Sequence, residues 1–145
     1  MIRGVFNPEF PDYPLPLLRV ALYLPRLVES WTLIDFLIDT GATTTSIHPS
    51  DADDALGIPE ALLSSVDSWA RRETHRGVGG EATFFVVPAR YGLLDEHDEW
   101  MMFDGHIRIA QLTESNLSLP SILGWDILRR FAITLDWSQK IVELR

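Results

Sequence analysis

The chain contains no cysteine, and this absence excludes several kinds of chemistry. Disulfide bonds, thiolate nucleophiles and zinc sites built on cysteine all require the missing thiol group. Thiol-based redox reactions are therefore excluded. A chain without disulfides also fits a reducing compartment, so we expect a cytoplasmic protein.

Basic residues and long apolar runs are also scarce. The chain has 12 lysine and arginine residues against 21 aspartate and glutamate residues, and its net charge of −9 opposes nucleic acid and anionic membrane surfaces. Its most apolar early stretch, PLPLLRVALYLP (14–25), is interrupted by Arg19 and prolines. That stretch is shorter than the roughly 20 residues that cross a bilayer. We therefore expect no nucleic-acid partner and no membrane association.

What remains is the composition of an ordinary globular protein. The 145 residues are 46% hydrophobic and 23% charged, and a chain of this length can bury one core. No repeat, low-complexity tract or linker interrupts the sequence. We therefore expect a single domain over residues 1–145.

Short apolar runs near the N-terminus predict a β-hairpin. LLRVALYL (17–24) and WTLIDFLI (31–38) are rich in bulky and β-branched residues, and a proline and polar residues separate them. The second run is apolar on both faces except at Asp35, which predicts a strand covered on both sides. HPSDADDAL (48–56) then predicts a short helix that begins at Pro49.

The rest of the chain predicts mostly antiparallel sheet. Residues 73–93 form two extended arms around a glycine cluster, and EWMMFDGHIRIAQL (99–112) forms a third arm after a charged loop. Near the C-terminus, Ile127, Leu128 and Phe131 share one helical face. Two short strands joined at DWSQK (136–140) complete the predicted elements.

Three motifs stand in order along these elements. IDTGA (38–42) follows an apolar strand, GVGG (77–80) lies at the turn of the glycine-containing arms, and ILGWDIL (122–128) opens the last helix. In this order they resemble the catalytic loop, flap tip and helix-opening segment of the retroviral-type (retropepsin-like) aspartic peptidases. The resemblance implies an all-β, mainly antiparallel fold, a retropepsin-like acid-protease barrel with one short C-terminal helix.

The resemblance implies that Asp39 is half of a catalytic pair. Amide hydrolysis needs an activated water and an acid, and two carboxylates that share one proton supply both. Because the chain has a single Asp-Thr-Gly, the second aspartate would come from another copy in a symmetric homodimer. The implied activity is that of an aspartic endopeptidase acting on extended polypeptides, with no cofactor and no metal.

The resemblance also gives roles to the residues around Asp39. Thr40 would brace the loop across the dimer axis, and Gly41 would let the backbone approach the catalytic pair. Flap glycines suit a lid that opens and closes, and we expect apolar substrate side chains around the scissile bond. The substrate-binding residues would be Ala42 in the loop and Val78, Gly79 and Gly80 in the flap.

Two positions depart together from the family pattern. Thr43 stands where the family has an acidic residue, and Trp125 stands where it has an arginine, so the usual ion pair that supports the dimer is missing. Replacing both partners leaves no orphaned charge, and the fold is not threatened. Trp125 would instead supply buried area in its own core or against the partner. The last strand, QKIVELR (139–145), would pair either with the partner or within its own subunit.

Plainer interpretations remain for each motif. Asp39 would simply open a turn, GVGG would be an ordinary hairpin turn, and DEHDE (95–99) is a solvated loop rather than a metal site. His48, His75 and His106 show no ligand spacing and are expected to be structural or surface residues. The main functional alternative is a catalytically silent peptide-binding or dimerisation module of the same fold, and a β-domain of unrelated function would require three coincidences.

Overall fold

The computed structural model of the chain describes residues 1–7, 14–65, 69–77 and 79–145. Within these residues the fold is mostly β and rich in antiparallel pairs, which confirms the predicted class at that level. The strands are β1 (Ile2–Arg3), β2 (Val5–Phe6), β3 (Pro16–Tyr23), β4 (Thr32–Ile38), β5 (Ser46–Ile47), β6 (Arg71–Gly77), β7 (Gly80–Leu94), β8 (Trp100–Ala110), β9 (Ile122–Leu123), β10 (Ile133–Asp136) and β11 (Ile141–Leu144). The helices are α1 (Pro49–Asp54), α2 (Glu60–Leu63) and α3 (Trp125–Leu128).

The larger sheet has the strand order β2-β3-β4-β9-β5-β8-β7-β6. β3 also pairs with β7, with Ala21 opposite Gly92, so the strands from β3 round to β7 close into a ring. The side chains that point into this ring form the core, and Phe36, Phe85 and Ile109 are among those fully buried there. Burial of such large apolar side chains is the main stabilising contribution to the fold.

The predicted hairpins are present. β3 pairs with β4, with Leu17 opposite Leu37, and β6, β7 and β8 form an antiparallel meander. The charged loop lies between β7 and β8, where the carboxylate of Asp95 accepts hydrogen bonds from the backbone N–H groups of His97 and Glu99. As predicted, α1 begins at Pro49, whose missing N–H is not needed in a first helical turn.

The prediction that β4 is covered on both sides is wrong. Ile34, Phe36 and Ile38 are buried, but Leu33 is 57% exposed and Asp35 forms an ion pair with Arg19 on the outer face. The sequence suggested two covered faces because Leu33 and Leu37 make the face that carries Asp35 apolar as well. A single leucine on a protein surface is common, so its presence does not indicate burial.

A narrow part of the larger sheet positions the loop that follows β4. β9 lies between β4 and β5, runs parallel to β4, and pairs antiparallel with β5 through Ile122 opposite Ser46. The segment 39–45 connects the end of β4 to the start of β5. The two ends of this segment, which we call the Asp39 loop, are therefore held on either side of one short strand.

The C-terminal strands form a second sheet with the order β1-β11-β10. β11 thus pairs on both of its edges with strands of its own chain, which is the intrasubunit arrangement of the two that the sequence allowed. α3 ends at Leu128, so Phe131 follows the helix rather than extending its apolar face. Within the described ranges, no helix is long and apolar enough to cross a membrane.

Candidate functional site

Asp39 lies immediately after β4 and forms a tight turn. Its backbone N–H donates to the carbonyl of Leu123 at 3.2 Å, and its Oδ1 accepts a hydrogen bond from the N–H of Gly41 at 2.8 Å. This second bond is that of an Asx turn. It occupies one carboxylate oxygen, and Oδ2 has no hydrogen-bond partner among the described residues. Asp39 therefore opens a turn and still presents a free carboxylate oxygen.

The segment Gly124–Asp126 holds the Asp39 loop from behind. The N–H of Trp125 donates to the carbonyl of Ala42 at 2.9 Å, and the N–H of Asp126 donates to that of Thr43 at 3.1 Å. Gly124 makes this approach possible, because a Cβ at this position would lie 2.5 Å from the carbonyl carbon of Thr44. Any larger residue would push the two backbones apart.

The carboxylate of Asp126 is the centre of this attachment. Its Oδ2 accepts a hydrogen bond from the N–H of Thr45 at 3.0 Å, and its Oδ1 accepts one from the Thr45 hydroxyl at 2.7 Å. The same hydroxyl accepts a hydrogen bond from the N–H of Gly124 at 3.0 Å. Thr45 is fully buried, so these bonds also satisfy polar groups that would otherwise be costly. The sequence placed Asp126 only on the polar face of a helix and missed Thr45.

Trp125 also contacts the loop through its side chain. Its indole Nε1–H donates to the carbonyl of Thr40 at 2.6 Å, while 40% of the residue stays exposed. Of the two alternatives for Trp125, packing in its own core does not match this exposure, and packing against a partner stays a prediction. Where the family pattern has an ion pair, this chain has a hydrogen bond from an indole to the loop backbone.

Gly77, Gly79 and Gly80 of the GVGG motif lie where β6 ends and β7 begins. We call these two arms and their turn the glycine hairpin (71–84). Gly77 pairs with Gly80, and Gly80 has a φ of 110°, a backbone conformation that favours glycine. Gly79 has open space around its Cα, and Val78 lies outside the described residues. Most residues of β6 are exposed, so this hairpin extends away from the core.

Glu73 attaches the base of the glycine hairpin to the rest of the sheet. Its carboxylate accepts a hydrogen bond from Nε of Arg108 at 2.8 Å, contacts Nε2 of His75 at 3.0 Å, and forms an ion pair with Arg71. The Arg108 guanidinium, followed by His75, lowers the pKa of Glu73 to about 2. Glu73 is therefore ionised throughout the mildly acidic range.

A groove of about 590 Å³ lies between the Asp39 loop and the glycine hairpin. One wall comes from the loop and β5, and the other comes from the hairpin and the segment 110–119. The predicted substrate-binding elements thus meet around one cavity. The predicted site residues that line it are Gly41, Ala42, Gly79 and Gly80.

Of the three remaining predicted residues, Val78 lies outside the described residues, and Asp39 and Thr40 lie beside the groove rather than in its lining. Asp39 is half-buried, and its carboxylate accepts a hydrogen bond from Gly41, a residue that lines the groove. Thr40 is exposed on the outer side, where its carbonyl meets Trp125. The structure therefore exposes Thr40 and Trp125 together at the surface next to Asp39.

Sequence reasoning missed one wall of the groove. Thr113, Ser115 and Asn116 line it from a loop that has no regular periodicity, and Asn116 folds that loop by donating to the carbonyl of Gln111 at 2.7 Å. The polar character of this wall differs from the apolar pockets expected from Ala42 and Val78. Only the run of hydroxyl and amide residues in the sequence could have indicated it.

His48 is a further groove residue that the sequence did not indicate. It is only 7% exposed and lines the groove, so the expectation of a structural or surface histidine did not anticipate its location. Burial lowers the pKa of His48, and the charge of Asp51 opposes this effect. The imidazole is therefore neutral at pH 7. No spacing in the sequence indicated this position, because the groove is formed by residues far apart in the chain.

The chain matches no protein-family model, and no curated protein matches it significantly in sequence.

Proposed function

We propose that this protein is a retropepsin-like aspartic endopeptidase that works as a homodimer, with Asp39 from each copy forming the catalytic pair. The observation that carries this proposal is the free Oδ2 of Asp39, held beside a groove that the glycine hairpin lines on one side. The closed ring of strands and the order of the three motifs support assignment to the retropepsin-like fold.

The proposed reaction needs one proton shared between two carboxylates. The ionised Asp39 removes a proton from a water molecule while the water oxygen attacks the peptide carbonyl carbon, and the protonated Asp39 of the other copy donates its proton to the carbonyl oxygen. The resulting diol collapses when the Asp39 that took the water proton gives it to the peptide nitrogen and the other, now ionised, Asp39 takes a proton from a diol hydroxyl. The C–N bond breaks, the carbonyl re-forms, and the pair again holds one proton. Each step is a proton transfer or a bond change among water, substrate and the two carboxylates.

A second copy is required because one chain offers a single suitable carboxylate. Glu81 is the acidic residue among the described residues that line the groove, and its carboxylate is engaged by Arg76 within the glycine hairpin. The exposed Thr40 and Trp125 give a surface next to Asp39 on which a second copy can pack. A twofold axis through this surface would bring the two Asp39 side chains together.

An extended polypeptide is the substrate class that the groove suits. The glycine hairpin presents backbone groups along one side, and a strand-like peptide can form backbone hydrogen bonds there while alternate side chains enter pockets. Gly77, Gly79 and Gly80 carry no side chains that would block this approach. We keep the expectation of apolar residues near Ala42 and add polar ones near the wall formed by residues 113–116.

A second candidate function is peptide binding without cleavage. The observation that favours it is the pairing of β11, which has both edges occupied by strands of its own chain and so has no free edge of its own to interleave with a partner. A dimer would then form without β11, through the surface around the Asp39 loop and Trp125. If that contact is too weak to bring two Asp39 residues together, the groove still binds peptide.

The test compares wild-type protein with Asp39→Asn against a mixed peptide library between about pH 4 and 7, the range of a shared-proton pair. Asparagine keeps the oxygen that accepts from Gly41, so the turn is preserved. We expect cleavage to fall by roughly 1,000-fold or more, as for other essential catalytic groups. Asp54→Asn, the same change at an exposed residue of α1, is the matched control and should cleave normally.

Sedimentation at several protein concentrations completes this experiment. Equal cleavage by wild type and Asp39→Asn would rule out the aspartic mechanism. A stable dimer that binds peptides without cleaving them would favour the second candidate. A protein that stays monomeric at every concentration yet cleaves would eliminate the catalytic pair.

A further inference from the structure

His48 lines the groove, and neither of its ring nitrogens has a hydrogen-bond partner in the part of the chain that the structure describes. Nδ1 is fully buried there. Nε2 likewise has no partner among the described residues, but it is not fully buried. Buried polar side chains are almost always hydrogen-bonded, so an exception in a cavity wall needs an explanation, and a bound water, ion or ligand is one. Nothing in the catalytic proposal uses this residue.

The tautomer of His48 follows from this environment. A neutral imidazole carries one N–H group, and an unpaired buried N–H is rarer in proteins than an unpaired buried acceptor. The proton is therefore favoured on Nε2, the nitrogen that is not fully buried. His48 then presents a hydrogen-bond donor to the groove and keeps a bare lone pair behind it.

The backbone of His48 is fixed by residues from a distant part of the chain. Its N–H donates to Oγ of Ser121 at 3.2 Å, and the Ser121 hydroxyl donates to Oδ2 of Asp51 at 2.5 Å. Ser121 is fully buried, and Asp51 belongs to the first turn of α1. The backbone of His48 is therefore held in the wall, two residues after Ser46, which also lines the groove.

We propose that His48 determines specificity by donating Nε2–H to an acceptor oxygen on a substrate side chain. Glutamine, asparagine, glutamate and aspartate carry such an oxygen, and leucine of similar size does not. This inference rests on the proposed function in that it takes a peptide as the occupant of the groove. It concerns binding, so it does not require that the peptide be cleaved.

The test measures peptide binding to the Asp39→Asn protein, in which cleavage does not interfere. The probes are fluorescent octapeptides of one base sequence. In each set a single peptide position carries leucine, glutamine or glutamate, and the sets together cover every position of the peptide. At one position we expect glutamine and glutamate to bind about 3- to 10-fold more tightly than leucine, the effect of one hydrogen bond. His48→Leu should abolish this ratio. His106→Leu, on the exposed part of β8, is the matched control and should keep it.

A second readout uses the unchanged ring and remains valid if His48→Leu fails to fold. With ¹⁵N-labelled histidine, the Nε2 signal of His48 should shift when the glutamine peptide binds and not when the leucine peptide binds. Identical shifts for both peptides, an unchanged affinity ratio in a folded His48→Leu protein, or no peptide binding at all would overturn the proposal. Selective binding by a wild-type protein that cleaves nothing would support the role of His48 and reject only the peptidase.

Discussion

The two walls of the groove are held in different ways. The Asp39 loop is attached through short hydrogen bonds to Gly124–Asp126, and its anchoring residue Thr45 is fully buried. The glycine hairpin is mostly exposed, and its contacts with the rest of the sheet lie at its base, where Glu73 pairs with Arg108 and the N–H of Gln111 donates to the carbonyl of Thr83 at 2.9 Å. Segments with few buried contacts open at low free-energy cost. The comparison indicates a rigid wall that positions Asp39 and a movable wall that admits the substrate.

Arg108 connects these two walls. Its Nε donates to Glu73 at the base of the glycine hairpin, and its Nη1 lies 4.0 Å from Oδ2 of Asp126, which holds the Asp39 loop. The Arg108 side chain is only 16% exposed, so water screens these contacts less than surface ion pairs. The hairpin can therefore move at its tip while its base keeps a fixed relation to the loop.

The largest expected effect is that of adding a methyl group to the rigid wall. The same change in the movable wall provides the comparison. Gly124→Ala places a Cβ 2.5 Å from the backbone of Thr44, and we expect it to lower the free energy of unfolding by about 2–4 kcal/mol, since backbone must move to accommodate it. Gly79→Ala has nothing within 4 Å of the new Cβ and should change stability by less than about 1 kcal/mol. Urea denaturation of both proteins measures the difference. Equal effects would show that the two walls are equally constrained.

The next largest effect is expected at the base of the glycine hairpin, in the pH dependence of the free energy of unfolding. The pKa of Glu73 is lowered to about 2, so its stabilising contribution is complete above its usual value near 4.5 and is lost as the pH falls toward 2. Glu73→Gln should therefore cost about 1–2 kcal/mol of unfolding free energy at pH 7, after allowing for partial exposure. The difference from wild type should shrink between pH 4.5 and pH 2.

Glu81→Gln is the matched control for this measurement. Glu81 belongs to the same hairpin and pairs with Arg76, but both side chains are largely exposed. Exposed ion pairs contribute little to stability, so this variant should resemble wild type at every pH. If Glu73→Gln and Glu81→Gln behave alike, the hairpin has no anchored base.

The local sequence signals predicted the strands and turns well, and the long-range contacts less well. Alternation and glycine placement identified the β6–β8 meander, because both act between neighbouring residues. The exposure of Leu33 could not be read from a run that is apolar on both faces. His48 and Asn116 enter the groove from segments that approach only in the folded chain, and periodicity carries no information about such approaches.

The Asp39 loop shows the same limit at closer range. The motif around Asp39 predicted half of a catalytic pair, with a simple turn as the plainer alternative, and the departure at Trp125 indicated a missing ion pair. The structure shows the turn, and the catalytic role stays a prediction. The indole hydrogen bond to Thr40 that takes its place was not predictable, because it joins residues 85 positions apart. The missing ion pair therefore indicated where a different contact would lie, but not which atoms would form it.

The smallest expected effect concerns Trp125 itself. Trp125→Phe removes the Nε1–H donor to Thr40 and keeps an aromatic ring, and because the site is exposed we expect a loss of only about 0.5–1 kcal/mol in unfolding free energy. If Trp125 packs against a second copy, the dimer dissociation constant should also rise by about 3- to 10-fold, because the loop that meets the partner loses its brace. Sedimentation and urea denaturation measure the two effects separately.

Trp137→Phe is the matched control, since Trp137 is also half exposed but lies between the C-terminal strands, against Phe6 and Lys140. It should leave self-association unchanged. An equal change in dimerisation for both variants would remove Trp125 from the proposed contact. The rigid wall would then still position Asp39 within one chain, but the contact that brings the second Asp39 to it would have to lie elsewhere on the surface.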